Sequence, residues 1–80
     1  MRLDKFLKVS RIIKRRTVAK DFAEHERVMV NGRIAKPATE IKKGDILTLR
    51  IGDRETVFEV LDIKENVKAA EAKNLYRIVE

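Results

Sequence analysis

The apolar positions follow a helical period up to about residue 26 and an alternating one after it. Leu3, Phe6 and Leu7, with Ser10, fall on one side of a helix, while Arg2, Lys5, Lys8 and Arg11 step by three along another. Asp4 is a candidate cap, because a carboxylate there meets free amides and the positive end of the helix dipole. Ile12 and Ile13 interrupt the polar pattern, which predicts that the helix ends about there. Lys14-Arg15-Arg16 then reads as a basic elbow. Thr17 is the next candidate cap, opening a second helix whose Val18, Ala19, Phe22 and Ala23 face inward.

Beyond Glu26, Val28 and Val30 lead into Asn31-Gly32 and then Arg33, Ile34 and Ala35. Asn-Gly between apolar runs predicts a two-residue hairpin, since both residues tolerate positive φ. Lys36-Pro37 ends that hairpin, and Lys42-Lys43-Gly44-Asp45 predicts a turn. Residues 46–51 form a strand, Gly52-Asp53 turns it, and residues 56–63 return as its partner. Residues 64–73 suit a loop with a helical turn, and residues 75–79 a last strand. The expected class is α+β, with two short N-terminal helices packed on a small, mostly antiparallel sheet. The whole of 1–80 is expected to be one domain, with a core at 2–50 and C-terminal strands over 56–79.

Composition narrows the function classes. Of 80 residues, 44% are hydrophobic and 40% charged, enough apolar material, when segregated, for a packed core. The absence of cysteine excludes thiolate zinc sites, disulfides and a cysteine nucleophile. No apolar run approaches the ~20 residues of a membrane span, and MRLDKFL carries no apolar signal core. The expectation is a cytoplasmic chain with no membrane partner.

Charge changes the picture most. Residues 1–20 hold eight bases against the single acid Asp4, a balance of +7, whereas the other sixty hold eleven bases and twelve acids, a balance of −1. The net charge of +6 is therefore a property of the N-terminus. Charge so concentrated points to a polyanion, because solvated faces normally mix both signs.

Little else in the chain carries chemistry. His25 is the only histidine and Ser10 the only serine; His25 sits near a helix end, where a protonated imidazole favours the dipole. The three glycines lie in turns, without a phosphate-loop spacing. Tyr76 and the phenylalanines lie at core spacings, which argues against a base-stacking platform. No catalysis, no metal and no cofactor are expected.

What remains is a basic face on a rigid frame. Bases stepping along a short helix can track a phosphate backbone, and Arg forks fit phosphate oxygens with two hydrogen bonds. Thr17, at a helix start, exposes amides that also suit a phosphate. Such a surface reads backbone and shape, which fits structured RNA. A DNA-binding helix-turn-helix is the rival, but its second helix would bring Asp21 and Glu24 to the phosphates.

Several blocks carry a resemblance. Arg2-Leu3-Asp4-Lys5-Phe6-Leu7, Arg11, Arg15-Arg16-Thr17-Val18-Ala19, Val28-Met29-Val30-Asn31-Gly32, Lys36-Pro37 and Gly44-Asp45 occur in order. Together they resemble the RNA-binding domain named for small-subunit ribosomal protein S-four, or αL RNA-binding motif. The resemblance implies an RNA surface on the two helices and the elbow, formed by Arg2, Lys5, Lys8, Arg11, Lys14, Arg15, Arg16, Thr17 and Lys20. Arg2 and Arg16 are the sharpest candidates, with Asp4 capping the helix and orienting a neighbouring arginine. The family often has glycine where this chain has Glu26, which leaves the path from helix to strand open.

Among small relatives, the start MRLDKFLKVSRIIKRRTVAK and the end around residues 72–78 resemble the ribosome quality control factor P (RqcP) family. That likeness implies binding to obstructed large ribosomal subunits that carry peptidyl-tRNA, with contacts to large-subunit rRNA and to the tRNA. It further implies support for the partner RqcH in alanine tailing, by a monomer that is not an enzyme. The alternative it leaves open is a factor of the fifteen-kilodalton heat-shock type, which recycles stalled large subunits without a role in tailing.

Overall fold

The computed structural model describes residues 1–79. Two helices, α1 (Leu3–Val9) and α2 (Arg16–Glu24), precede the strands β1 (Val28–Val30), β2 (Arg33–Ile34), β3 (Ile46–Ile51) and β4 (Arg54–Val60). A short helix α3 (Ala69–Ala72) and a 3-10 turn (Lys73–Leu75) then lead into β5 (Tyr76–Val79). The strands form one sheet in the order β2-β1-β3-β4-β5, antiparallel at every junction. The α+β class is as expected.

The hairpins follow from their turn residues. Val30 pairs with Arg33 across Asn31-Gly32, and both turn residues have positive φ, +51° and +82°. That is the mirror-image turn whose twist matches a two-residue hairpin. Asn31 also ties the turn to β3: its Oδ1 accepts the Ile46 amide at 2.9 Å and its Nδ2 donates to Asp45 at 3.1 Å. The β3–β4 hairpin closes in two residues as well, with Ile51 opposite Arg54. β4 therefore begins two residues before the expected 56 and stops at Val60, three short of 63. After Val60 the chain leaves the ladder, because the amides of Leu61 and Asp62 both turn to the carbonyl of Leu75.

Alternation along the strands puts Val28, Leu47, Leu49, Phe58 and Val60 into the core with Leu3, Phe6 and Leu7 of α1 and Ala19 and Ala23 of α2. The small side chains of α2 allow it to lie close. Phe58 meets Tyr76 edge-to-face, with centroids 5.3 Å apart, which fastens β5 to β4. Val18, expected to face inward, is 41% exposed. It lies one residue off the Ala19–Ala23 stripe, and a helix this short buries only a narrow stripe.

The first helix ends earlier than expected, and the second ends near His25 as expected. α1 stops at Val9, and Arg11 stands beyond it at φ +61°, so it leaves the row of bases on the helix. The Ser10 hydroxyl and amide bond back into the helix, to the Leu7 and Phe6 carbonyls, which helps close it. α2 closes through a pair of reverse bonds, Glu26 N–H to Ala23 O and Arg27 N–H to Phe22 O. This closure needs a left-handed residue at the first position past the cap, where glycine is usual. Here Glu26 holds that conformation at φ +60°, against a steric cost of roughly 1–2 kcal/mol for a residue with a Cβ.

Neither candidate cap occupies a cap position. The N-caps are Arg2 and Arg15, each extended and without a side-chain cap bond. Asp4 and Thr17 lie inside the first turns of α1 and α2. At α1 a distant segment supplies the acceptors: Leu3 N–H donates to Thr39 O at 2.8 Å and Asp4 N–H to Pro37 O at 3.1 Å. Arg2 and Glu40 form a bridge there, and the N-terminal ammonium pairs with the Glu40 carboxylate. With the first two entry amides satisfied from outside, the Asp4 carboxylate is left free to take other partners besides.

Candidate nucleic-acid interface

Asp4 is the buried centre of the basic face. Its side chain is 2% exposed, yet its carboxylate binds three groups on the rim. Arg2 donates through Nε and Nη2, both at 3.1 Å, in a two-pronged contact. Arg16 Nη2 reaches the same carboxylate at 3.5 Å from the first residue of α2. The Lys5 amide donates to Oδ1 at 2.7 Å, so Asp4 also satisfies one helix-entry amide from within the first turn.

The consequence is geometric. Arg2 and Arg16 belong to different elements, fourteen residues apart, and one carboxylate brings their guanidinium groups together. Their side chains remain 49% and 47% exposed. Each fork therefore has donors left for a second acceptor outside the protein. A guanidinium already held on one edge loses less rotamer freedom when it binds a phosphate with the other.

The remaining bases divide by partner. Lys5 Nζ lies 2.8 Å from Glu65 in the loop after β4, and Lys20 lies 3.8 Å from Glu24 one turn along α2. The Lys5 ammonium, by hydrogen bond and by charge, holds the Glu65 carboxyl below its ordinary value. Lys8, Arg11, Lys14, Arg15 and Thr17 are exposed, and none of the four bases has an acidic partner among the described residues. The structure thus brings Arg2, Asp4 and Arg16 into contact and sets the elbow bases free beside them. Arg15 caps α2 without a side-chain bond, so the amides of Arg16, Thr17 and Val18 meet no internal acceptor among the described residues. They point the positive end of that helix at the same surface.

The sequence pattern did not reveal the Glu65 contact, because an exposed acid sixty residues from the lysine it touches carries no periodic signal. The supporting carbonyls of Pro37 and Thr39 are equally silent in the sequence, since backbone groups have no residue signature. His25 sits where expected, as the C-cap of α2, with Nδ1 2.8 Å from the Asp21 carbonyl. Among the described residues no cluster of three metal-ligating side chains occurs, and no helix is long and apolar enough to cross a membrane.

The comparisons with known proteins agree with this geometry. The family model for the S4 domain matches residues 1–47, the stretch that holds both helices, the elbow and the first hairpin. Over 98% of its length the chain is 51% identical to the RQC P-site tRNA stabilizing factor of Halalkalibacterium halodurans, covering 89% of that protein. It is 49% identical to the factor of the same name from Bacillus subtilis, over 100% of this chain and 93% of the relative. The chain belongs to the S4 domain family, among relatives named RQC P-site tRNA stabilizing factor. This S4 chain also matches the structure of Heat Shock Protein 15 from Vibrio cholerae, described as trimeric, with a TM-score of 0.89 and 36% identity. That match covers 99% of this chain and 81% of the other. The likeness to both groups is the one expected from the N-terminal blocks.

Proposed function

We propose that this S4 chain is a non-catalytic RNA clamp of ribosome quality control. On large subunits that carry peptidyl-tRNA it bridges large-subunit rRNA and the tRNA. The observation that carries the reading is the Asp4 carboxylate holding Arg2 and Arg16 together while both forks stay half exposed. Two pre-set forks from different elements suit two phosphate strands that must be held side by side. Lys8, Arg11, Lys14, Arg15, Lys20 and the start of α2 extend the contact along the backbone, and Lys5 joins when it exchanges Glu65 for a phosphate. The names of the relatives, which stabilise a P-site tRNA, support the tRNA as one partner.

On this reading the chain, 1–80, acts as one monomeric unit in the cytoplasm. It adds no chemistry of its own. By holding the tRNA it supports RqcH while alanine tails are added to the stalled chain. With about five phosphate contacts, affinity falls roughly a hundred- to thousandfold between low and moderate salt. A second reading draws on the fold likeness to Heat Shock Protein 15: the same clamp recycles stalled large subunits and plays no part in tailing. Deletion separates the two, since loss of alanine tails supports the first and unchanged tails the second.

The first test is sedimentation of the tagged chain from lysate at low and moderate salt, beside Arg16→Ala. Co-migration with free large subunits, lost in the variant, supports the clamp. Migration at the top of the gradient at both salts removes the ribosome from the reading.

A further inference from the structure

A cleft lies away from Asp4, where the end of α2 meets the open side of the sheet. It has two adjoining lobes, both lined by Glu26, Arg27, Ile34 and Arg50. The larger, of about 430 Å³, adds His25; the smaller, of about 150 Å³, adds Met29, Thr48 and Glu55. A backbone bond from Arg50 N–H to Arg27 O, at 2.9 Å, holds Arg27, the residue just before β1, beside Arg50 of β3 at one edge of the cleft. Neither has an acidic partner within ion-pair distance among the described residues. Arg27 is already ordered, with its guanidinium 5.6 Å from the centre of the Phe22 ring. Glu26 is delivered to the cleft by a left-handed backbone that glycine would adopt more readily. Strain of this kind, in a residue that lines a cavity, points to work done by its side chain.

We propose that this cleft is a second RNA subsite that takes one unstacked nucleotide, with guanine preferred. The proposal rests on the RNA-binding reading above. Arg50 and Arg27 hold the phosphate in the larger lobe, where Glu55 does not reach. The planar Arg27 guanidinium, backed on one face by Phe22, offers its other face to the base, as arginine planes do in single-stranded RNA recognition. Met29 and Ile34 form the apolar wall of the smaller lobe. The Glu26 carboxylate is acceptor-only and matches adjacent N–H donors. Only guanine presents two such donors side by side on its Watson–Crick edge. Adenine and cytosine set a ring acceptor beside their amino group, which a carboxylate repels. The volume of the larger lobe lies in the range of small-ligand sites. It is separated from Arg16 by the length of α2, nine residues or about 13 Å, so one RNA can occupy both surfaces.

The test is amide NMR of the full chain with guanosine 5′-monophosphate, adenosine 5′-monophosphate, and a single-stranded hexaribonucleotide with one guanine. The expected result is perturbation of the Glu26, Arg27 and Arg50 amides, with guanine favoured about tenfold over adenine and the hexanucleotide at least tenfold tighter than the mononucleotide. Arg50→Ala should weaken both guanine probes about tenfold, and Glu26→Gln should bring guanine and adenine to within about twofold, with melting curves unchanged. Equal affinity for the free nucleotide and the hexanucleotide would assign the cleft to a metabolite and overturn the RNA subsite. Perturbation confined to Arg2, Arg16 and Thr17 would overturn it too, while leaving the clamp intact. So would cleft amides that respond to large-subunit proteins and to none of the nucleotides. Conversely, a wild-type chain that stays off subunits while the hexanucleotide still perturbs the cleft would remove the clamp and keep the subsite.

Discussion

Asp4 and Arg2 form a two-pronged pair, with Nε and Nη2 each 3.1 Å from a carboxylate oxygen, and the acid is buried while the base stays half exposed. The pair fixes an arginine that must also bind elsewhere. Asp4→Asn keeps the shape but removes the charge and turns one acceptor into a donor. It should cost about 1–3 kcal/mol of stability, because the Lys5 amide and both arginines lose a charged acceptor. Urea unfolding measures this. In subunit co-sedimentation Asp4→Asn should be coupled to Arg2→Ala, the double variant losing less than the two single losses combined. Additive losses would show that Asp4 acts on RNA binding independently of Arg2.

Arg2→Ala and Arg16→Ala should separate binding from stability. The Arg16 contact to Asp4 is long, at 3.5 Å, and half exposed, so its loss should change stability by less than about 1 kcal/mol. Loss of one charge-assisted bond to a phosphate should weaken subunit binding by about ten- to a hundredfold. The slope of log affinity against log salt should fall by about 0.7–0.9 per contact. Lys64→Ala and Lys73→Ala, in the C-terminal part of the chain, should leave both quantities nearly unchanged. A strong loss of binding in either would shift the interface to that part.

How much of this was legible depended on whether a feature is local. The Asn31-Gly32 hairpin was readable because two adjacent residues specify its backbone. The Leu3, Phe6, Leu7 stripe was readable because period alone places it, and the basic face because eight bases fall within twenty residues. The two caps were misread for different reasons. A cap rule assumes that a helix must satisfy its own entry amides, whereas the carbonyls of Pro37 and Thr39 take the first two for α1, and at α2 the entry amides meet no acceptor among the described residues. The Arg27–Arg50 cleft was invisible, since it joins strands whose pairing is fixed only by the sheet. Glu26 lay between these cases: its departure from glycine was visible as a question, and the reverse bonds at the end of α2 answer it.

Lys5 and Glu65 supply a pH-dependent readout. Glu65 is exposed and its carboxyl is held below the ordinary carboxylate range, first by the Lys5 hydrogen bond and then by its charge. A depressed folded-state value means the pair contributes above the unfolded value of Glu65 and loses that contribution as pH falls through the folded one. Carboxyl NMR should show the Glu65 titration moving up in Lys5→Met, and also at about 1 M salt, where screening is nearly complete. If Lys5 turns to a phosphate, saturating RNA should raise the Glu65 value in the wild type. An unchanged value with RNA bound would remove Lys5 from the interface.

Glu26 allows strain and function to be measured at one position. Glu26→Gly removes the Cβ that opposes φ +60°, and closes α2 with the residue that its pair of reverse bonds favours. Relief of the left-handed backbone should outweigh the extra freedom of glycine in the unfolded chain, a net gain of about 0.5–1 kcal/mol. For a chain of this size that is a rise of roughly 2–8 °C in melting temperature. Glu26→Ala keeps the Cβ and should show no such rise, so the difference between the two variants isolates the backbone from the carboxylate. In both, the preference for guanine at the cleft should disappear, because neither retains an acceptor. A stabilised Glu26→Gly that no longer distinguishes guanine from adenine would show stability given up for recognition at this residue. A destabilised one would mean that the carboxylate supports the fold itself, through the arginines beside it.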